Sequence, residues 1–232
     1  MIESLTRAKF EQLIPTIATG KQYAHYWGKW KNIVNRLLVS VVAVVVVFIL
    51  SLVLGEGASA LILLLSIIAG FYWLWFPIYQ ASMRNSQARR LKYSGFWRCR
   101  VQDIYLTEEI IGEEETVNQR GELVLVENRE RRINLVLGDN TGFNINIQAP
   151  LERLHKGIKV GQVAELLLLS SRQDLSTIDK VTDAYIPSQN LWVGSYPWLQ
   201  RDVFLEVSRQ LGGQQNYRTP RSKRSPQRRY YQ

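Results

Sequence analysis

The sequence predicts an α+β membrane protein. It combines a two-helix transmembrane hairpin, a small cytosolic β-barrel-like domain of the SH3 or OB kind, and a C-terminal helix. Three observations lead there. Leu37 to Tyr79 holds two long apolar runs, and Glu56 is its sole charged residue. Lys and Arg crowd both flanks of those runs but are missing from the short break between them. Between 94 and 190, five or six short strand signals alternate with turns, which suggests a barrel or a compact sandwich.

Charge separates the same parts. The 232 residues carry a net +9, but residues 101–213 alone are net −6, while 80–100 and 214–232 are each net +6. The basic residues lie beside the apolar runs, so anionic lipid headgroups are the first partner to expect. A net-acidic body argues against single-stranded nucleic acid, which wants a basic, aromatic face. Mean hydropathy is −0.13, which excludes a transporter of many spans. A single cysteine, Cys99, excludes an internal disulfide.

Taken in order, residues 1–32 read as an N-terminal amphipathic or interfacial helical segment. Phe10, Leu13, Ile14 and Ile17 recur at helical spacing, with Ser4 as N-cap and Thr19-Gly20 as stop. Two placements stand: packed on the protein's own soluble domain, or lying in the membrane interface. Aromatics and cations follow, with Tyr23, Trp27 and Trp30 on one helical face and Tyr26 beside it. His25 reads as an interfacial side chain. Tyr and Trp favour the headgroup layer, where an apolar ring and a polar edge are both satisfied.

Residues 33–79 are the hairpin. Leu37–Leu54 would rise ~27 Å as a helix, close to the ~30 Å of a bilayer core. Leu61–Tyr79 matches it. Open strands cannot cross lipid, so the β-branched run Val41–Val47 is read as helix. Ser40, Ala43, Val47 and Ser51 share one face, and Ser66 and Gly70 form a small-xxx-small pair, so these faces are expected to pack together. No ionisable residue sits at mid-depth, which argues against a transport path within this chain. Tyr72, Trp73, Trp75, Phe76 and Tyr79 end the second run, and a hairpin would join them to the first aromatic cluster as one belt. Arg36 before the hairpin, and Arg84, Arg89 and Arg90 in the basic linker 80–93, are expected at the headgroups. By the positive-inside rule both termini are then cytosolic.

In the domain at 94–190, Phe96–Leu106, Leu123–Glu127, Ile133–Leu137, Phe143–Gln148, Val163–Ser170 and Thr182–Ile186 read as strands. Glu108–Glu115 reads as an acidic, solvated tip. Pro150–Lys156 reads as a short helix or turn. His155 has no ligand partner at metal spacing, and no Walker A, G-x-S-x-G or G-x-G-x-x-G occurs, so no cofactor or metal is expected.

Residues 191–213 combine an aromatic opening with a helix begun by Ser195 and Pro197. Leu199, Val203, Val207 and Leu211 form its stripe, and Gly212-Gly213 its stop. Trp192, Tyr196, Trp198 and Phe204 are candidate partner-docking residues, because aromatics dominate binding hot spots. The other reading of this segment is a helix that closes the barrel. Residues 214–232 read as a disordered polybasic tail.

The pattern T-R-x-K-F-E-x-L-I-P-x-x-A-T-G-x-Q-Y-x-x-Y-W-G-K, from Thr6 to Lys29 and running into V-S-V-V-A-V-V-V-V, resembles an uncharacterised family of cyanobacteria and plastids. Its members are often labelled "phosphate ABC transporter permease". The resemblance covers most of the chain except the tail and implies a thylakoid or plasma membrane setting. ABC permeases resemble bundles of five or six spans with an E-A-A-x-x-x-G coupling loop, and this chain has two runs and no such loop. The expected function is therefore a non-enzymatic membrane accessory, assembly or scaffold protein that presents its β domain to a membrane complex. The alternatives are a small subunit of a membrane transporter, which would need other chains or self-association, and an enzyme using the barrel, for which the sequence offers no catalytic set.

Overall fold

The computed structural model describes residues 2–28, 30–54, 59–117, 121 and 123–218. The break at 55–58, with Glu56, and the tail from 219 lie outside the described residues. The chain divides into a unit of residues 1–200 and a C-terminal unit that begins at Arg201.

The first unit opens with a surprise. Ile2–Ser4 is a strand, β1, antiparallel to Trp97–Gly95. The amphipathic helix is only Arg7–Leu13 (α1), capped by Thr6 rather than Ser4. Phe10, Leu13 and Ile14 are buried and Ile17 is exposed, so α1 packs on the protein itself. Thr19 does not stop that helix; it starts the next. Its hydroxyl accepts the Gln22 N–H, and the Gln22 side chain accepts the Thr19 N–H, forming a capping box for α2, Gly20–Trp27.

Trp30–Leu54 is one continuous helix, α3, and its Asn32–Leu54 portion is long and apolar enough to cross a membrane. The second run differs from expectation. It forms α4, Ser59–Gly70, and α5, Tyr72–Arg89, bent by 73° at the break. Alone, α4 would rise ~18 Å, short of a bilayer core.

The sheet is antiparallel and eight-stranded, in the order β4-β3-β2-β5-β7-β8, with β1 on β2 and β6 on β5. Its members are β2 (Tyr93–Val117), β3 (Leu123–Gly138), β4 (Asn144–Pro150), β5 (Val163–Ser170), β6 (Lys180–Val181), β7 (Ala184–Ile186) and β8 (Leu191–Val193). It is open, not a closed barrel: among the described residues the edge strands β4 and β8 do not pair with each other. Closure would need a ladder between these edges, and β7 and β8 are three residues each, too short to carry one around. The main core cluster gathers on one face, with Trp97, Val101, Leu135, Leu137, Leu166 and Leu168 all nearly or fully buried, while Phe96, Leu167 and Leu169 are buried on the other. A 3-10 turn at Arg153–Gly157 follows β4, where a short helix or turn was expected.

β2 and β3 are far longer than the sequence suggests. Glu108–Glu115 is strand, not loop, and the two segments 123–127 and 133–137 merge into one strand across Asn128–Arg131. Each strand gives the other a long ladder, with register shifts between Val101 and Asp103 and between Ile110 and Gly112, and this pairing overrides the loop-like composition of both.

In the C-terminal unit, helix α6 runs Arg201–Arg218. It starts later than Ser195 and continues through Gly212-Gly213. Val207 and Phe204 are buried.

Candidate membrane anchor and partner surfaces

The least exposed stripe of α3 includes Ser40, Ala43, Val47 and Ser51, the face expected to pack. The rest of its surface is apolar and open: Val41, Val45, Phe48 and Leu52 are all at least 49% exposed. Opposite Ser40 lies the bend of α4–α5. Ser40 Oγ donates to the carbonyls of Ala69 (2.6 Å) and Gly70 (2.7 Å), and Trp75 Nε1 donates to Ile68 O at 3.0 Å. Three carbonyls at the bend are thus capped by side chains, the way a broken helix survives in apolar surroundings. Ser51 and Ser66 instead bond back to Phe48 O and Ile62 O of their own helices. A Cβ on Gly70 would meet Val44 Cγ2 at 3.9 Å, ordinary contact, so close helix approach does not demand the glycine.

The two aromatic clusters do meet. Tyr23 packs on Trp27 at 5.2 Å between ring centroids, and Trp27 reaches Trp73 of α5 at 5.7 Å. On α5, Tyr72 stacks on Phe76 and Phe76 on Tyr79, with Trp75 edge-on to all three. Trp30 is 77% exposed.

The flanking cations are placed differently. Arg36 donates to Tyr26 O at 2.8 Å. Arg89 donates to the Glu11 and Ile14 carbonyls and pairs with the Glu11 carboxylate at 3.0 Å, while Arg7 donates to Arg89 O and Leu91 O. Arg84 lies over the rings of Tyr196 and Trp198. Of the four, Arg90 is the exposed one. Arg36 and Arg89 therefore tie helices together, Arg36 through a backbone oxygen and Arg89 through two backbone oxygens and the Glu11 carboxylate.

A contact the sequence reading missed holds this assembly. Gln22 and Asn85, both fully buried, exchange amide hydrogen bonds at 3.0 and 2.8 Å, and Gln22 Nε2 also donates to Trp198 O. The legible signal was T-x-x-Q at Thr19–Gln22, the spacing of a capping box.

Three of the four candidate docking rings are internal. Tyr196 is 1% exposed, Trp198 5% and Phe204 0%. Tyr196 packs edge-on against His25, Tyr26 and Trp198. Burial drives its phenol well above the ordinary range. Trp192 is half-buried against Tyr185. Cys99 is buried, its thiol on Ala164 O and pushed up to about 12, chiefly by burial. His155 is buried, and its Nδ1 accepts the Glu152 N–H.

The open part of the sheet is the outer β2–β3 hairpin. β5 pairs β2 through Arg100 and β4 pairs β3 from Arg132 onward, so among the described residues Thr107–Val117 and Leu123–Arg131 pair with each other alone. This two-stranded ribbon spans ~35 Å. Its base is laced by ion pairs, Glu108–Arg131 at 3.2 Å and Glu109–Arg132 at 2.9 Å. Exposed pairs of this kind contribute ~0–1 kcal/mol. Beyond them come Leu123, Val124, Leu125 and Val126, exposed by 75, 40, 56 and 48%. An isolated hairpin of this type is marginal in water, and its bare edges are templates for another strand.

The fold and these surfaces define an α+β protein with an exposed apolar helix and a protruding β ribbon. The chain belongs to a family of unknown function, DUF8619, whose pattern matches residues 3–218. No curated protein and no solved structure matches it significantly.

Proposed function

We propose that this protein is a non-enzymatic membrane accessory that holds its sheet at the bilayer surface and offers the β2–β3 ribbon to another membrane protein. The observation that carries the reading is the ribbon itself. It spends eleven residues of β2 beyond the paired sheet, keeps both edges bare, and ends in four exposed aliphatic residues. The anchoring half rests on the open apolar surface of α3 and on the capped bend. In this reading α3 crosses the bilayer, and α4 returns beside it as the first half of a second, broken crossing. The aromatic half of α5 then runs near the headgroups, and both termini lie on the cytosolic side. The thylakoid setting and a photosynthetic complex as partner rest on the family resemblance alone.

The test is affinity purification in mild detergent from the native membrane, comparing wild type with Leu125→Asp. One stoichiometric membrane complex should accompany the wild type and be lost from the variant, while both proteins remain membrane-bound. Recovery of the wild type as a homo-oligomer without another chain would overturn the proposal.

A further inference from the structure

Where α2, α5 and β6 meet the segment 194–198, we infer a binding site for a phosphate-type anion, with Arg84 and Lys180 as its ligands. The two cations come from different parts of the fold, one from the helix below the aromatic belt and one from the sheet. They converge on one ring: Arg84 Cζ lies 4.9 Å and Lys180 Nζ 4.2 Å from the Trp198 centroid, with Arg84 also 4.2 Å from the Tyr196 centroid. Among the described residues neither cation has a carboxylate partner within ion-pair distance.

An aromatic face attracts a cation by ~0.5–2 kcal/mol, which offsets part of a charge and does not neutralise two. Like charges gathered on one ring repel. Lys180 shows it: partial burial first, and then the Arg84 charge, hold it below its ordinary value. His25, edge-on to Tyr196, is lowered by the same two causes. An anion bound by both cations offsets that repulsion and adds charge-assisted hydrogen bonds, with the guanidinium suited to two oxygens of one phosphate. The site is reachable, since Arg84 and Lys180 are half-buried and His25 is exposed.

The position suits a lipid headgroup. Arg84 follows Tyr79 by five residues, ~7.5 Å along α5, just past the rings assigned to the interface. Choosing a phospholipid over soluble phosphate rests on the anchoring proposed above; the anion site itself does not.

The test uses the full chain in a zwitterionic detergent, with tryptophan fluorescence as readout and three titrants: phosphatidylglycerol, phosphatidylcholine and inorganic phosphate. Phosphatidylglycerol should saturate at one per chain with phosphatidylcholine inert. Arg84→Gln and Lys180→Gln should each weaken binding about tenfold, and the distant surface variant Lys159→Gln less than twofold. Saturation by inorganic phosphate at similar concentration would keep the site and assign it to a soluble phosphate. Unchanged binding in both variants, or equal binding of the two lipids, would overturn the inference. Should Arg84→Gln fail to fold, Lys180→Gln decides alone, because Lys180 sits on a two-residue strand at the surface. Membrane association of each variant, measured separately, keeps the anchor reading distinct from the outcome.

Discussion

Leu166–Leu169 and Val44–Val47 are the same kind of sequence, four aliphatic residues in a row, and the molecule treats them in opposite ways. All four leucines are fully buried in β5, whereas on α3 Val44, Val45 and Val46 are 38, 49 and 49% exposed and Val47, on the packed stripe, is 9% exposed. In water such exposure costs about 25 cal/mol per Å² of apolar surface, and a helix of this length could not carry it unaided. On the anchoring proposed above, the difference teaches that the two halves are built for different solvents. The sheet completes its own core, while the helix leaves its outer surface for something else to cover.

The strongest way to break that comparison is to place one carboxylate in each run. Leu168→Asp puts an unpaired charge and a cavity into the sheet core, a loss of at least ~4 kcal/mol against a typical stability of ~5–15 kcal/mol. The sheet should become open to limited proteolysis. Val45→Asp should leave the sheet resistant and weaken membrane integration by ~2.5–3.5 kcal/mol, read as protein released by alkaline carbonate extraction. If Val45→Asp also exposes the sheet to protease, Val45 belongs to a protein interior and the two-solvent picture fails.

A smaller effect tests the joint between the halves. Gln22→Leu leaves the Asn85 amide and the Trp198 carbonyl buried without their partner, at ~1–3 kcal/mol per group. The expected loss is ~2–4 kcal/mol, or ~5–15 °C in Tm for a chain of this size. Gln22→Leu with Asn85→Leu should recover much of it, since replacing both members of a pair by apolar groups is close to neutral. Additive losses in that double-mutant cycle would show that the two amides do not act as a unit.

What could be read in advance follows the same division. α3, β4 and β5 are legible because one periodicity or one solvent dominates each: an uncharged run, the alternation of Asn144–Gln148, and the buried block Leu166–Leu169. The ribbon is not, because its strands hold together through each other rather than through a core. Glu113–Glu115 and Asn128–Arg131 therefore look like loop to any rule based on burial. Thr19 misled for a related reason. A Thr-Gly pair reads as a stop, and only the reciprocal bond with Gln22 shows that a helix begins there. The bend after Gly70 has no proline at the break; Pro77 lies a turn and a half further on, inside α5. Arg36 and Arg89 face inward through tertiary contacts with backbone oxygens, which no local pattern announces.

The smallest effect sharpens the comparison on the sheet side through pH. His155 is buried, and its Nδ1 accepts the Glu152 N–H that opens the 3-10 turn after β4. Burial holds its pKa below the ordinary value, against a weaker upward pull from Glu152. Below pH ~6.5 the unfolded chain therefore binds more protons at this site than the folded one, and stability falls as pH falls toward the depressed value. The stabilisation is fully present at pH 7 and above. His25 is lowered too, so wild-type loss between pH 7 and 5 carries both histidines, and His155→Gln isolates one of them. Glutamine at this position can still reach back to the N-cap N–H, as in a capping box, but cannot titrate. The variant should therefore match wild type at pH 7.5 and lose less Tm on acidification. An identical acid loss in His155→Gln would remove His155 from the titration and leave it to groups nearer the helices.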